Sequence, residues 1–176
     1  MRRFVLAFVL SLSAVAAHAE SLTMDQIQSL SSKQIEAGLP DSHPFAYFAY
    51  AVKLAKAGKY DPAVQWYYVG QIRAHHHLLA HPDLPADGDA AELQNITKGV
   101  GQSLVDYAGG NIRIWIQTMD KALAWDNANP NNFTSKETFA TQWQQARAEL
   151  TKTRDGIKKN EAQIKAERAS RGLTDR

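Results

Sequence analysis

The residues best equipped for chemistry stand in one run, His75-His76-His77-Leu78-Leu79-Ala80-His81. His77 and His81 are four positions apart, so on a helix they share a face and could hold a zinc ion between them. Zinc proteases use that spacing with a general-base glutamate after the first histidine. Leucine stands there in this chain, which removes that reading. Pro82 disfavours helical backbone at His81 and weakens the pair. A metal here would need further ligands, for which His43 and Asp83 are candidates. The expectation is a surface histidine tract, with His75 on the apolar face of Val64, Tyr68, Ile72 and Leu79. No specific metal and no cofactor are expected, and His77 and His81 are the weak metal candidates.

The carboxylates are scattered. Asp83, Asp87 and Asp89 share a loop, but the calcium-loop pattern and its closing glutamate are absent. Asp87 and Asp89 read as turn and cap residues. Gly101-Gln102-Ser103 lacks the strand that a hydrolase serine elbow requires, and Gly99 and Gly101 follow no strand, so they make no phosphate loop. No triad or acid pair can be assembled from spacing, and catalysis is not expected. The chain has no cysteine. Disulfides, thiolate catalysis, Cys-ligated zinc and a lipid anchor on cysteine are thereby excluded.

Aromatic residues are the richer signal. Tyr47, Tyr50, Trp66, Tyr67 and Tyr68 exceed what one helix can bury against a single neighbour. Tyr68 belongs with an apolar stripe. Trp66 and Arg73, seven apart, share another face with Gly70 between them. Trp and Arg are over-represented at binding hot spots, so Trp66, Tyr67 and Arg73 form the candidate binding face. A third helix covering that face is the structural alternative.

The elements that must position these residues read as helices. No run alternates apolar and polar residues long enough for a strand. Thr23 with Gln26 has capping-box spacing and opens a short helix ended by Gly38 and Pro40. Pro44 to Ala57 is the next, closed by Gly58. Asp61-Pro62 signals the start of one that runs to about Leu79. Asp89 opens another to about Tyr107, in which Gly99 and Gly101 imply a break or a close contact. Asn111 to Trp125 carries Ile112, Trp115, Ile116, Met119 and Leu123 as its stripe. A capping box at Thr134 and Glu137 opens the last helix. There Trp143, Leu150, Ile157 and Ile164 recur every seven residues while their companion positions turn polar. From Ser135 to Arg171 it would be about 55 Å long, against a body only some 35 Å across. The distal part is expected to protrude or fray, or to bend near Gly156.

Met1-Arg2-Arg3, the apolar run Phe4 to Val15 and Ala17-His18-Ala19 read together as a secretory signal peptide. Cleavage is expected near Ala19, with a periplasmic location in bacteria. The organisation is then 1–19 signal peptide, 20–134 helical body and 135–176 long C-terminal helix. Removing Arg2 and Arg3 leaves 18 basic and 18 acidic residues, from totals of 20 and 18. Nine basic and five acidic residues fall between Arg147 and Arg176, so that end carries 9 − 5 = +4. A neutral chain is a poor nucleic-acid binder, and none is expected. The basic helix could touch anionic lipid; a solvated charged helix is the simpler reading.

Ala49 to Tyr68, AYAVKLAKAGKYDPAVQWYY, resembles the core of a tetratricopeptide or Sel1-like repeat. Gly58, Tyr60 and Ala63 match its Gly-x-Tyr-x-x-Ala turn, and Trp66-Tyr67 match its aromatic positions. The resemblance implies that Gly58 permits the turn, Tyr60 plugs the gap between helices and Ala63 lets them approach. Lys121 to Trp125 with Asn129 to Asn132 is a fainter echo. No strict 34-residue period runs through the chain. The expected fold is therefore all-α, a single domain of antiparallel helical hairpins with about five to six helices and a long charged C-terminal helix.

These features point to non-catalytic protein binding, with another exported or envelope protein as partner. Alternatives are an immunity or inhibitor protein against an exported toxin or wall-degrading enzyme, a histidine-tract metal binder, and an unrecognised enzyme.

Overall fold

A computed structural model describes residues 21–176, so the signal-peptide reading lies outside the described residues. Every regular element among those residues is helical. In chain order they are α1 (Met24–Ser29), α2 (Ser32–Gly38), a 3₁₀ turn (Leu39–Asp41), α3 (Phe45–Lys56), α4 (Tyr60–Ala80), α5 (Asp89–Gly109), α6 (Ile112–Ala128), α7 (Ala140–Lys159) and α8 (Glu161–Ser170). None is long and apolar enough to cross a membrane.

The first two helices are too short to stand on propensity alone. Each begins in a full capping box, Thr23 with Gln26 and Ser31 with Gln34. Each buries one isoleucine, Ile27 or Ile35. Lys53 of α3 donates to the carbonyls of Ile27, Gln28 and Leu30 at 2.8, 3.1 and 2.6 Å. A cation there satisfies carbonyls that the end of α1 leaves unpaired.

Helix α4 is the centre of the molecule, packed by α3, α5, α6 and α7. Twelve of its 21 residues are buried, spread around its whole circumference. That is why no single amphipathic stripe marks it in the sequence. Close approach is bought by glycine at two points. A Cβ on Gly70 would lie 3.1 Å from Tyr47 Cβ and 3.2 Å from Phe48, and one on Gly101 would lie 2.4 Å from the Tyr67 hydroxyl. The Gly101 expectation of a close contact holds, and α5 runs unbroken through Gly99.

The repeat-like turn is met in part. Gly58 has φ +73°, in the region that favours glycine. Ala63 is fully buried. Tyr60 is not the plug expected: it is 41% exposed and stacks on Tyr107 of α5 at 4.7 Å. The reason is its position as the first residue of α4, where its ring meets α5 instead of entering the gap between α3 and α4.

The C-terminal segment differs from the expectation of a protruding end. Its helix begins at Ala140 rather than at the Thr134–Glu137 box, and it divides at Asn160 rather than Gly156. α8 then turns back onto α5. Arg168 is buried, donating to the Asp106 carbonyl at 2.5 Å and the Thr174 carbonyl at 2.8 Å. The Arg176 amide donates to Gly110 O at 2.8 Å, and its guanidinium covers the Tyr107 ring at 3.5 Å. The heptad stripe continues into this docking, with Ile157 buried and Ile164 half-buried against the core, and arginines complete the contact where the companion positions turn polar.

Candidate functional site

The face of α4 singled out by Trp66 and Arg73 is covered. Trp66, Tyr67 and Arg73 are 4%, 4% and 1% exposed, so none offers a free binding surface in this fold. Trp66 packs against Tyr50 and Trp125 at 5.4 and 4.8 Å. The Tyr67 hydroxyl donates to Thr97 O at 3.3 Å and accepts from Gln71 at 2.6 Å. The structural alternative weighed from the sequence is the one realised: α3 and α6 close over this face.

Arg73 anchors a buried polar network instead. Its Nε meets Asp126 Oδ1 at 2.9 Å, and its terminal nitrogens donate to Pro130 O at 3.0 Å and Asn129 O at 3.2 Å. Asp126 also accepts from Arg147 at 2.7 Å and Trp143 Nε1 at 2.8 Å. Lys136 donates to the carbonyls of Asp126 and Asn129. Burial lowers the Lys136 ammonium to about 8, against the opposing pull of Asp126. The Asp126 carboxylate thus ties α4 and α7 to α6, while Arg73 and Lys136 hold the carbonyls of the loop after α6. The charged groups are buried or half-buried, with Arg73 and Arg147 facing Asp126 as ion pairs, which makes this an organising network rather than an open site.

Two features remain open. The first is a groove. α5 and α7 both lie on α4 but hardly on each other. The gap between them is a cavity of about 360 Å³. Ile72, Leu78, Leu93, Ala146 and Leu150 give it an apolar interior, and Gln71, Gln94, Lys98, Glu149 and Thr153 surround it with polar groups. His75 also lines it. Leu150 sits here because the seven-residue repeat of α7 turns its apolar positions toward α4.

The second is a histidine corner at the end of α4. His77 is buried and His43 half-buried, and both face Asp89 on the first turn of α5. The distances are 3.2 Å from His43 Nε2 and 3.4 Å from His77 Nε2 to Asp89 Oδ2. His77 Nδ1 lies 3.0 Å from Thr134 Oγ1. Burial, with His81 and His43 nearby, pushes the His77 ring below its ordinary pKa, against the pull of Asp89. Burial alone would raise Asp89, but the hydrogen bond and charge of His43, with the His77 ring nearby, hold it below the usual range. His76, fully buried beside them, is lowered to about 4 by desolvation.

The tract is not the surface run expected, since His76 and His77 are buried, and the weak candidates His77 and His81, although their rings lie 4.6 Å apart, do not converge as a ligand pair. α4 ends at Ala80, and His81 donates its Nδ1 proton to the His77 carbonyl at 2.9 Å. The convergent set is His43, His77 and Asp89, and Asp83 is not part of it. Asp89 was expected to cap its helix. It stands one residue inside α5, whose N-cap is Gly88, and turns its carboxylate to the histidines. No sequence signal joins these residues, since His43 and Asp89 are 46 positions apart.

Compared with protein-family models, curated proteins and solved structures, the chain has no significant match in any of the three.

Proposed function

We propose that the chain is an exported, non-catalytic protein-binding module of the periplasm, and that the groove between α5 and α7 is its docking surface. In this reading the chain is a set of antiparallel helical hairpins, with the repeat-like α3–α4 pair at its centre and the charged C-terminal helices at one side. The observation that carries it is the gap itself. Two helices lie on one side of α4 without packing on each other, and the space between them has an apolar floor and polar margins. That is the form of a helix-in-groove site.

The occupant is the apolar face of a helix from another exported protein. At about 360 Å³ the cavity lies at the small end for pockets that engulf a whole ligand. It suits a few aliphatic anchors from a longer segment. Lys98 on one wall and Glu149 on the other would pair with an acid and a base flanking those anchors.

Site-specific crosslinking tests this. A photoreactive phenylalanine analogue is placed at Thr97 or Thr153 in the groove, and at Gln28 on α1 as control. The expected result is adducts on one partner segment of amphipathic helical pattern from the two groove positions alone, lost when Leu150→Glu is added. Adducts equally strong at Gln28, or adducts to lipid or small molecules only, would overturn the proposal.

A further inference from the structure

We propose that His43, His77 and Asp89 bind a divalent transition-metal ion of the zinc class. The inference rests on the histidine corner alone and is independent of the groove.

Three elements that are distant in sequence converge there: the turn before α3, the last turn of α4 and the first turn of α5. The three ligand atoms lie within 4.8 Å of one another. Two edges of that triangle, 3.2 and 3.4 Å, match the ligand–ligand edge of a zinc tetrahedron. That edge is about 3.3 Å for metal bonds of about 2.0–2.1 Å. Two imidazoles and one carboxylate suit zinc, cobalt(II) or nickel, whereas calcium and magnesium prefer all-oxygen sites. Three protein ligands leave a fourth position for water or for a group brought by a partner.

The strongest pointer is His77 Nε2. It is buried with no hydrogen-bond partner, on a side chain only 7% exposed. It faces a carboxylate at 3.4 Å without the alignment to donate to it. Leaving a buried ring nitrogen unpaired is costly, and a cation between it and Asp89 removes that cost. Thr134 Oγ1 at 3.0 Å can accept the Nδ1 proton, the outer-sphere partner that orients a ligating histidine. The Phe133 ring shields the pair, 4.9 Å from His43 and 5.2 Å from His77. Asp89, at 39% side-chain exposure, gives the ion a way in.

His43 shows what binding changes. Its Nδ1 accepts the Phe45 amide proton at 3.2 Å, so the metal-free neutral ring carries its proton on Nε2 and donates it to Asp89. Coordination at Nε2 moves that proton to Nδ1 and releases the Phe45 amide. The ion replaces a proton between His43 and Asp89, and the first turn of α3 senses the exchange.

Zinc titration of the protein by calorimetry tests the site. One equivalent should bind, and His43→Ala and Asp89→Asn should each weaken it at least tenfold. His75→Ala, on the same histidine run, should leave it unchanged. The Phe45 amide resonance should shift on saturation. Equal loss from His75→Ala, or no loss from Asp89→Asn, would reduce the site to a histidine tract and overturn the proposal. Absence of saturable binding in the parent chain would do the same. Should His43→Ala fail to fold, the near-isosteric Asp89→Asn still decides. Zinc should raise the melting temperature of the parent protein by mass action and not that of Asp89→Asn.

Discussion

Arg73 and Asp126 face each other at 2.9 Å across α4 and α6, with side chains 1% and 0% exposed. Arg147, Trp143 and the loop carbonyls of Asn129 and Pro130 complete the surroundings of this pair. Desolvation makes such a pair a modest source of net stability, but loss of one partner leaves the other charge buried alone. Asp126→Asn is expected to destabilise the fold by about 3–5 kcal/mol. Urea denaturation measures it. A midpoint equal to that of the parent would mean that water reaches Arg73 and Arg147.

Two glycines in long helices should respond in opposite directions. Nothing lies within 4 Å of a Cβ added to Gly99. Gly99→Ala should therefore stabilise the fold by about 1 kcal/mol, the difference in helix propensity. Gly70→Ala gains the same term but presses on Tyr47 and Phe48 at 3.1 and 3.2 Å. Overpacking of about 1–3 kcal/mol should leave it less stable than the parent. Denaturation of the two variants side by side checks the contrast.

Stability should fall as the solution is acidified below neutrality. The His76 ring is lowered from 6.5 to about 4 by burial, and accepts at Nδ1 from Asn131 at 3.1 Å as a neutral ring. Between those values the unfolded chain binds a proton that the folded chain refuses. The contribution is thus fully present above about 6.5 and is lost as pH drops toward 4, at up to about 1.4 kcal/mol per pH unit. His77 is shifted in the same direction. His76→Gln should flatten the slope in this window. An unaltered slope would assign the acid sensitivity elsewhere.

The C-terminal segment should be protected rather than frayed. Arg168 joins Asp106 O, Thr174 O and Asp175, and Gly172 turns the chain at φ +71° so that Arg176 reaches Gly110. Amides of α8 should exchange more slowly in the parent than in Arg168→Ala, which should also lose about 1–3 kcal/mol with the charged hydrogen bonds of a buried guanidinium. Hydrogen exchange followed by mass spectrometry distinguishes this from a free helix, whose amides would exchange fast in both proteins.

The helical class and the limits of α3 to α6 were legible because they depend on neighbours in sequence, whereas the breaks between α1 and α2 and between α7 and α8 were not. The boxes at Thr23 and Gln26, the stop at Gly58 and the Gly109-Gly110 break all act within a turn of the chain. Asp89 was misread for the same reason. It stands where a cap is expected, and its partners His43 and His77 are brought to it only by folding.

By itself, then, the sequence determined an all-helical chain, where α3 to α6 start and stop, and which of their stripes are apolar. Tertiary structure decided which faces are covered and which polar groups meet. Trp66 and Arg73 look like a binding face until α6 brings Trp125 and Asp126 onto them. The basic end looks like a free helix until Arg168 finds the carbonyl of Asp106, 62 residues away. The groove exists because α5 and α7 lie on α4 and leave each other apart. Local propensity and periodicity act over a few residues. Burial and charge pairing act across whichever segments the fold brings together, and no spacing within one helix encodes them.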